Sequence, residues 1–463
     1  MVSASLEFLQ QTKGRIVVEL CYINASRCLS STMPTKLPLL SIPAPDDLIA
    51  WWRGRPIRRE RFLRHVAAIA RRLPAKRFIF NLCEDRYLFL VAFAAVGANG
   101  QSNLLPSNRA ELHLRRVAEA YPDNGRTTDG DIGAWLEMAT AKPDVPAVPE
   151  VSSDQVMAIA FTSGSTGLAK PNPKTWGELV GGARQAQRRF GFDRSTTIVA
   201  TVPPQHMYGL ETSIMAPLIS GARVHGGRPF FPEDVREALA AVPGSRVLVT
   251  TPVHLQACVR AQLRWPRPAF LLSATAPLSA ELAAQAEAAF GAPVLEIYGC
   301  TEAGSIASRR TLDGDRWRLY DGFTLREGSL AGAHLPEPVP LNDIVEACGE
   351  TEFKLIGRRE DLVNVAGKRT SLGYLNHQLN EIGGVEEGVF VLPDETGSEV
   401  QRLAAVVVAP GLSERQLLAA LARRLDPVFL PRPLVKVGAL PRNETGKPTR
   451  EALLALVARV HGA

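Results

Sequence analysis

Between residues 156 and 298 the chain alternates short apolar runs with turns and amphipathic stretches, and this alternation narrows the possible folds more than any other feature. The runs at 156–161, 197–202, 247–249, 270–272 and 294–298 are too short and too apolar for anything but buried strands. Between them, 175–189, a stretch from Val253, and 280–290 carry apolar residues at helical spacing. Strand–turn–helix repeats cover both faces of a sheet, so an α/β layered fold with a largely parallel sheet is expected. Ligands of such sheets gather beyond the carboxyl ends of the strands. Each polar cluster of this stretch falls just after a predicted strand.

The first cluster is Thr162-Ser163-Gly164-Ser165-Thr166-Gly167, followed by Lys170. Glycines let backbone N–H groups turn inward, hydroxyls add donors and the lysine adds charge, so the loop suits a polyphosphate. It lacks the Gly-Lys-Ser/Thr of a Walker loop, which argues against an unrelated phosphate-loop ATPase or kinase. On its own the stretch also reads as a Ser/Gly surface turn.

With 463 residues the chain exceeds a single ordinary core. Upstream, 62–73 and 87–96 read as helices and 78–82 as a buried strand, while 141–153 reads as a linker. Beyond about residue 357 the pattern changes to short strands at 385–392, 403–408 and 434–440. They surround a helix whose Ser413 and Gln416 fit a capping box, with Leu417, Leu418, Leu421 and Leu425 on one face. A last helix starts near Thr449. The expected organisation is a leader over 1–48, ending in Pro34, Pro38, Pro43 and Pro45 and expected to be disordered, then a large α/β domain over 49–357. A hinge joins it to a small mobile α+β domain over 358–463.

Composition removes several functional classes. Apolar residues make up 46% and charged residues 22%, as in soluble globular proteins. No apolar run is long enough to span a bilayer and 16–22 makes a poor signal peptide, so no stable membrane insertion and a cytoplasmic location are expected. Six scattered cysteines form no Cys-x-x-Cys pair, which argues for reduced thiols and against a zinc site or disulfide framework. A net charge of +6 without interleaved aromatics gives no nucleic-acid signature.

Five clusters stand in order: 162–170; Gln205-His206-Met207-Tyr208-Gly209; Tyr298-Gly299-Cys300-Thr301-Glu302; Gly357-Arg358-Arg359-Glu360-Asp361; and Pro441-Arg442-Asn443-Glu444-Thr445-Gly446-Lys447. Their identity, order and spacing resemble the adenylate-forming superfamily of acyl-CoA synthetases, adenylation domains and luciferases, over roughly residues 50–463. The run Asp361-Leu362-Val363-Asn364-Val365-Ala366-Gly367-Lys368-Arg369 and the short N-terminal region look most like ligases of aryl polyene and xanthomonadin-type pigment biosynthesis, which load a hydroxybenzoate-like acid onto an acyl carrier protein.

The resemblance implies ATP and Mg2+ as cofactors, a small aromatic carboxylic acid as substrate, and an acyl carrier protein, or alternatively coenzyme A, as thiol acceptor. It also implies roles. Thr162, Ser163, Gly164, Ser165, Thr166, Gly167 and Lys170 would hold the β- and γ-phosphates, and Glu302 would ligate the metal. Thr301 would hydrogen-bond the α-phosphate. Tyr298 and Thr275 would flank adenine, with Gly299 in the same wall, while Asp343 and Arg358 would reach the ribose. Lys447 would bridge the attacking carboxylate and the α-phosphate, and His206 would stand between the acid and ATP sites. The acid pocket would comprise His206, Tyr208, Gly209, Thr251, His254, Ser273, Ala274 and Gly299, with His254 the expected partner of a phenol. For the thioester step the chain would turn about Glu360 or Asp361, replacing Lys447 by Gly367, Lys368 and Arg369.

Cys300 has no base placed beside it by sequence and reads as a pocket wall. Three departures from the family pattern stand out: Ala274 where a glycine is usual, Leu341-Asn342-Asp343 for Thr-Gly-Asp, and Pro171-Asn172-Pro173 after the loop. A non-catalytic nucleotide-binding protein on the same fold is the competing class, and retention of Lys447 and Glu302 argues against it.

Overall fold

The computed structural model of the chain describes residues 35–41, 44, 46–107, 109–138, 146–163, 169–358, 362–365, 368–393, 402–442 and 448–461. Its first layer is a five-stranded sheet in the order Asn124–Thr127, Phe78–Asn81, Ser102–Leu105, Val156–Ser163, Ala169–Thr175. The first four strands run parallel and the last returns antiparallel, pairing Thr162 with Lys170.

Helix Arg86–Ala98 is buried along almost its whole length. A helix that is apolar all round must be enclosed, and this one touches Ser102–Leu105 of the first sheet and Arg223–His225 of the second. Asp85 caps its start by accepting from the Leu88 amide at 3.0 Å.

The second sheet has eleven strands. Six run parallel through its centre: Leu48–Trp52, Arg223–His225, Thr196–Ala200, Ser245–Thr250, Phe270–Ser273 and Val294–Cys300. Antiparallel strands flank them, with Arg55–Arg58 at one edge and Gly304–Arg310, Arg316–Leu319, Glu352–Arg358 and Asp343–Ala347 toward the other. The expected parallel core is therefore present, but the sheet as a whole is mixed. Several strands after residue 310 escape sequence reading because they are short and have exposed residues among the buried ones.

The C-terminal part builds a third sheet from Glu387–Val391, Ala404–Val408 and Leu434–Lys436. Alternation along Ala404–Val408 sends Ala405 and Val407 into a core with Leu375, Leu379, Leu417 and Leu421. Ala404, Val406 and Val408 face Leu453 and Val457 on the other side. Helix Glu414–Ala422 starts at the expected capping box, where Gln416 accepts from the Ser413 amide at 2.8 Å.

The leader expectation needs correction at its C-terminal end. Lys36–Pro38 pairs antiparallel with Glu150–Ser152, and Leu39 and Leu40 are buried in the main core. Proline is tolerated on such a two-stranded edge ribbon because it has no second neighbour to bond. Strand Leu48–Trp52 also begins one residue inside the expected leader. Among the described residues no helix is long and apolar enough to cross a membrane, and Cys83, Cys258, Cys300 and Cys348 form no disulfide.

Candidate active site

The carboxyl ends of the central parallel strands carry Thr201, Thr251, Ser273 to Thr275 and Tyr298 to Glu302 side by side. Two registers explain the convergence. Strand 270–273 lies between 245–250 and 294–300, so three sequence-distant clusters meet at one edge.

Glu302 lies in the turn between Val294–Cys300 and Gly304–Arg310. Its Oε1 is 3.9 Å from Nζ of Lys170, which extends from the strand that follows the Ser/Thr/Gly loop, so a link forms between the two sheets. The lysine side chain is 69% exposed and the glutamate 33% exposed, so the pair is screened by water and adds little to stability. Beneath it, buried Lys174 donates from Nζ to the carbonyl oxygen of Glu302. Three residues on, buried Glu211 accepts from the amide of Ser305 at 3.1 Å and from its hydroxyl. Burial raises the Glu211 carboxyl above the usual range, and the Ser305 hydrogen bonds and the charge of Lys174 oppose that rise.

Tyr298 donates from its hydroxyl to Oδ2 of Asp343 at 2.6 Å. Its ring is held by Trp317 and Phe353, each at a centroid distance of 5.6 Å. Asp343 in turn opens the strand that pairs with 352–358, opposite the backbone of Arg358. The structure thus joins the residues assigned to the nucleoside although 45 positions separate Tyr298 from Asp343. Thr275 is exposed in the turn after Phe270–Ser273 and has φ +81°, unusual for a β-carbon-bearing residue. Gly299 sits at a bulge where an added Cβ would meet the Gly304 carbonyl oxygen at 2.2 Å, so only glycine fits.

Among the residues expected to line an acid pocket, Tyr208 donates to the Leu272 carbonyl at 2.9 Å, and burial pushes its hydroxyl pKa up. Half-buried His206 precedes the short helix Met207–Leu210, which contains Gly209 and continues as a π-helical turn over Glu211–Met215. Thr251 caps helix Pro252–Arg260. Nδ1 of His254 lies 3.1 Å from Oγ1 of Thr201 and 3.3 Å from Oγ1 of Thr251. Burial, then the charge of Arg228, lowers the His254 pKa, which favours a neutral ring at pH 7. The Phe230 ring packs edge-on against it at 5.4 Å. Ser273 is fully buried and its hydroxyl has no protein partner, as is true of the Gln205 carbonyl oxygen. Ala274 is also buried, and burial pushes the Cys300 thiol up to about 11, which makes it a poor nucleophile.

Gly164 to Gly167, Glu360, Asp361, Gly367 and Lys447 lie outside the described residues, and so do the side chains of Thr162, Ser163, Arg358, Lys368 and Arg369.

Sequence reading missed Lys174, Glu211 and Arg86. Arg86 is fully buried and donates to the Ala200 and Val202 carbonyls at 2.8 Å each and to the Ser213 hydroxyl, fixing the end of strand Thr196–Ala200. Burial brings its pKa down to about 9. The available signal was a charge inside an apolar setting: Arg86 opens a nearly all-apolar helix, and Glu211 interrupts the buried run 209–219.

A family model for AMP-binding enzymes matches residues 69–327. The chain is 29% identical over 351 residues to a 4-coumarate–CoA ligase of Rhodobacter capsulatus, covering 73% of this chain and 88% of that one. It is 26% identical over 335 residues to a 2-succinylbenzoate–CoA ligase of Staphylococcus aureus, covering 65% and 67%. Among solved structures, ATP-bound MatB from Rhodopseudomonas palustris matches with a TM-score of 0.77 at 18% identity, over 91% of this chain and 97% of that one. With more than half of its length matched by the family model, the chain belongs to the AMP-binding enzyme family and is of the AMP-forming acid–thiol ligase type.

Proposed function

We propose that this enzyme activates a small aromatic carboxylic acid with ATP and passes the acyl group to a thiol. The acid's carboxylate oxygen attacks the α-phosphorus, the bond to pyrophosphate breaks, and an acyl-adenylate forms. A thiol then adds to the acyl carbon, the bond to AMP breaks, and a thioester leaves. Both partners of the first step are anions, so the protein's task is charge screening and alignment.

The observation that carries this reading is the meeting of Lys170 with Glu302, which brings the phosphate-loop strand to an acid at the strand ends. Magnesium, when bound, would supply charge neutralisation on the phosphates. It commonly takes one or two carboxylates plus phosphate oxygens, and the one-third-exposed carboxylate of Glu302 suits that donor set. Among the described residues no cluster of three His, Cys, Asp or Glu would hold a metal alone. The o-succinylbenzoate CoA synthetase of Bacillus subtilis, of the same fold, has been solved with ATP and a magnesium ion.

Lys170, Thr301 and the loop 162–167 act on the phosphates. Tyr298, Thr275 and Gly299 take the adenine side, and Asp343 with Arg358 the ribose. Lys447 stabilises the pentacovalent transition state, and rotation about Glu360 or Asp361 exchanges it for Gly367 to Arg369 in the second step. The buried, unpartnered hydroxyl of Ser273, whose strand neighbour is Thr250, supports a polar, hydroxyl-bearing aromatic acid.

Coenzyme A is the better supported acceptor, because the relatives are named as CoA ligases of aromatic acids. The run 361–369 favours the second reading, an acyl carrier protein in pigment-type biosynthesis. Acid-dependent ATP–pyrophosphate exchange across benzoates, cinnamates and fatty acids tests the first step. Hydroxylated aromatic acids are expected to drive exchange; response to long fatty acids alone would overturn the substrate class, and no exchange with any acid would leave a nucleotide-binding protein. Product analysis with coenzyme A and with a phosphopantetheinyl carrier decides the acceptor.

A further inference from the structure

Strand Ala169–Thr175 presents Lys170 and Lys174 to the same residue at two different atoms. Residues four apart on a strand share a face, and here the exposed lysine reaches the Glu302 carboxylate while the buried one donates to the Glu302 carbonyl. Glu211 holds the other end of the turn through the Ser305 amide and hydroxyl. Between the two anchors Gly304 has φ +76°, and a Cβ there would meet Glu211 Oε1 at 2.2 Å. The turn is therefore seated on two buried groups of opposite charge that line one small cavity. Burying an ammonium and a carboxylate is costly unless each is satisfied by hydrogen bonds. Here each spends hydrogen bonds on the backbone of a single turn, the one that carries Thr301 and Glu302.

We propose that Lys174 and Glu211 are positioning residues that clamp the turn 301–305 from beneath and hold the Glu302 carboxylate toward Lys170. The inference rests on the reading of Glu302 as the residue that meets magnesium-bound ATP. Lys174 acts through the backbone of Glu302, so its effect is on where the carboxylate stands and not on the charge at the reacting atoms. Lys170, at the surface, screens the same acid and contributes no such restraint.

The test compares Lys174→Met, Glu211→Gln and the double variant with the full-length wild type. Three measurements apply: amide hydrogen exchange over 300–306, calorimetric binding of ATP with magnesium or with a chelator, and thermal unfolding. Lys174→Met is expected to raise exchange over 300–306 and weaken magnesium-dependent ATP binding by about 10- to 100-fold, the scale of a lost charged hydrogen bond. ATP binding with the chelator should change little. The double variant, which no longer buries a lone charge, is expected to recover unfolding temperature yet retain both defects. Recovery of all three properties in the double variant would reduce the pair to a structural role and overturn the proposal. Unchanged exchange over 300–306 in Lys174→Met would overturn it as well. Glu302→Gln separates this from the underlying reading: if that variant keeps full magnesium-dependent ATP affinity, the metal role of Glu302 fails, whereas the exchange measurement judges the clamp regardless.

Discussion

The turn 301–305 and the residues proposed to line an acid pocket lie at the ends of neighbouring strands, yet their polar groups are treated differently. At the turn most polar groups have protein partners: Lys174 donates to the Glu302 carbonyl, the Ser305 amide donates to Glu211, and Tyr298 donates to Asp343, while His334 Nδ1 in the cavity beneath is buried without one. At and beside the positions proposed for the acid, the Ser273 hydroxyl and the Gln205 side-chain Oε1 are buried without protein partners. A buried group left unbonded costs about 1–3 kcal/mol. On the proposed assignment, the contrast is between a nucleotide side largely prearranged by protein hydrogen bonds and an acid side that keeps hydrogen-bonding capacity for its ligand.

The largest break in this comparison is expected at the charges that meet ATP. Lys447→Ala and Glu302→Gln should each lower acid-dependent pyrophosphate exchange by ~10^2- to 10^3-fold without changing the acid KM. Lys447→Ala should still form thioester from supplied acyl-adenylate, and equal loss of both half-reactions would contradict the domain-rotation reading. Gly299→Ala forces a Cβ against the Gly304 carbonyl. Overpacking of that kind should destabilise by about 1–3 kcal/mol in urea unfolding.

Ser273→Ala sharpens the contrast most directly. Removing an unpartnered buried hydroxyl should leave thermal stability equal or raised, while acid affinity falls by about tenfold in exchange kinetics. A drop in stability without a change in acid KM would show that the hydroxyl serves the fold. Tyr298→Phe, on the satisfied side, should do the reverse in kind, losing about 0.5–1.5 kcal/mol of stability together with ATP affinity.

The smallest effect concerns pH. Burial is the main cause that lowers the His334 pKa from 6.5 to about 4, beneath the clamped turn. The unfolded chain binds the extra proton between these values, so the stability contribution is complete above pH 6.5 and declines as pH falls toward 4. From pH 7 to 6 the loss should be below about 1 kcal/mol. Urea midpoints of wild type and His334→Gln measure it, and identical pH profiles would remove His334 as a cause.

Much of the fold was legible because periodicity is local. The strands at 196–200, 245–250, 270–273 and 294–300, the helix 280–290 and the Ser413 cap all follow from spacing and side-chain chemistry within a few residues. The antiparallel strands from 304 to 358 were not legible, since several are only four or five residues long with exposed positions, and Arg316–Leu319 finds its partner at Glu352–Arg358. Lys36–Pro38 was hidden for the same reason: a proline-rich run gains order only from Glu150–Ser152.

The sequence by itself determined which chemical groups are available and that they follow strands, because order and spacing along a chain are fixed covalently. Only the tertiary structure decided that Tyr298 bonds Asp343, that Lys170 faces Glu302, and that Lys174 and Glu211 seat the turn between them. Those pairings depend on which strands lie side by side, and strand order is chosen by burial of whole faces and not by any residue's nearest neighbours in sequence.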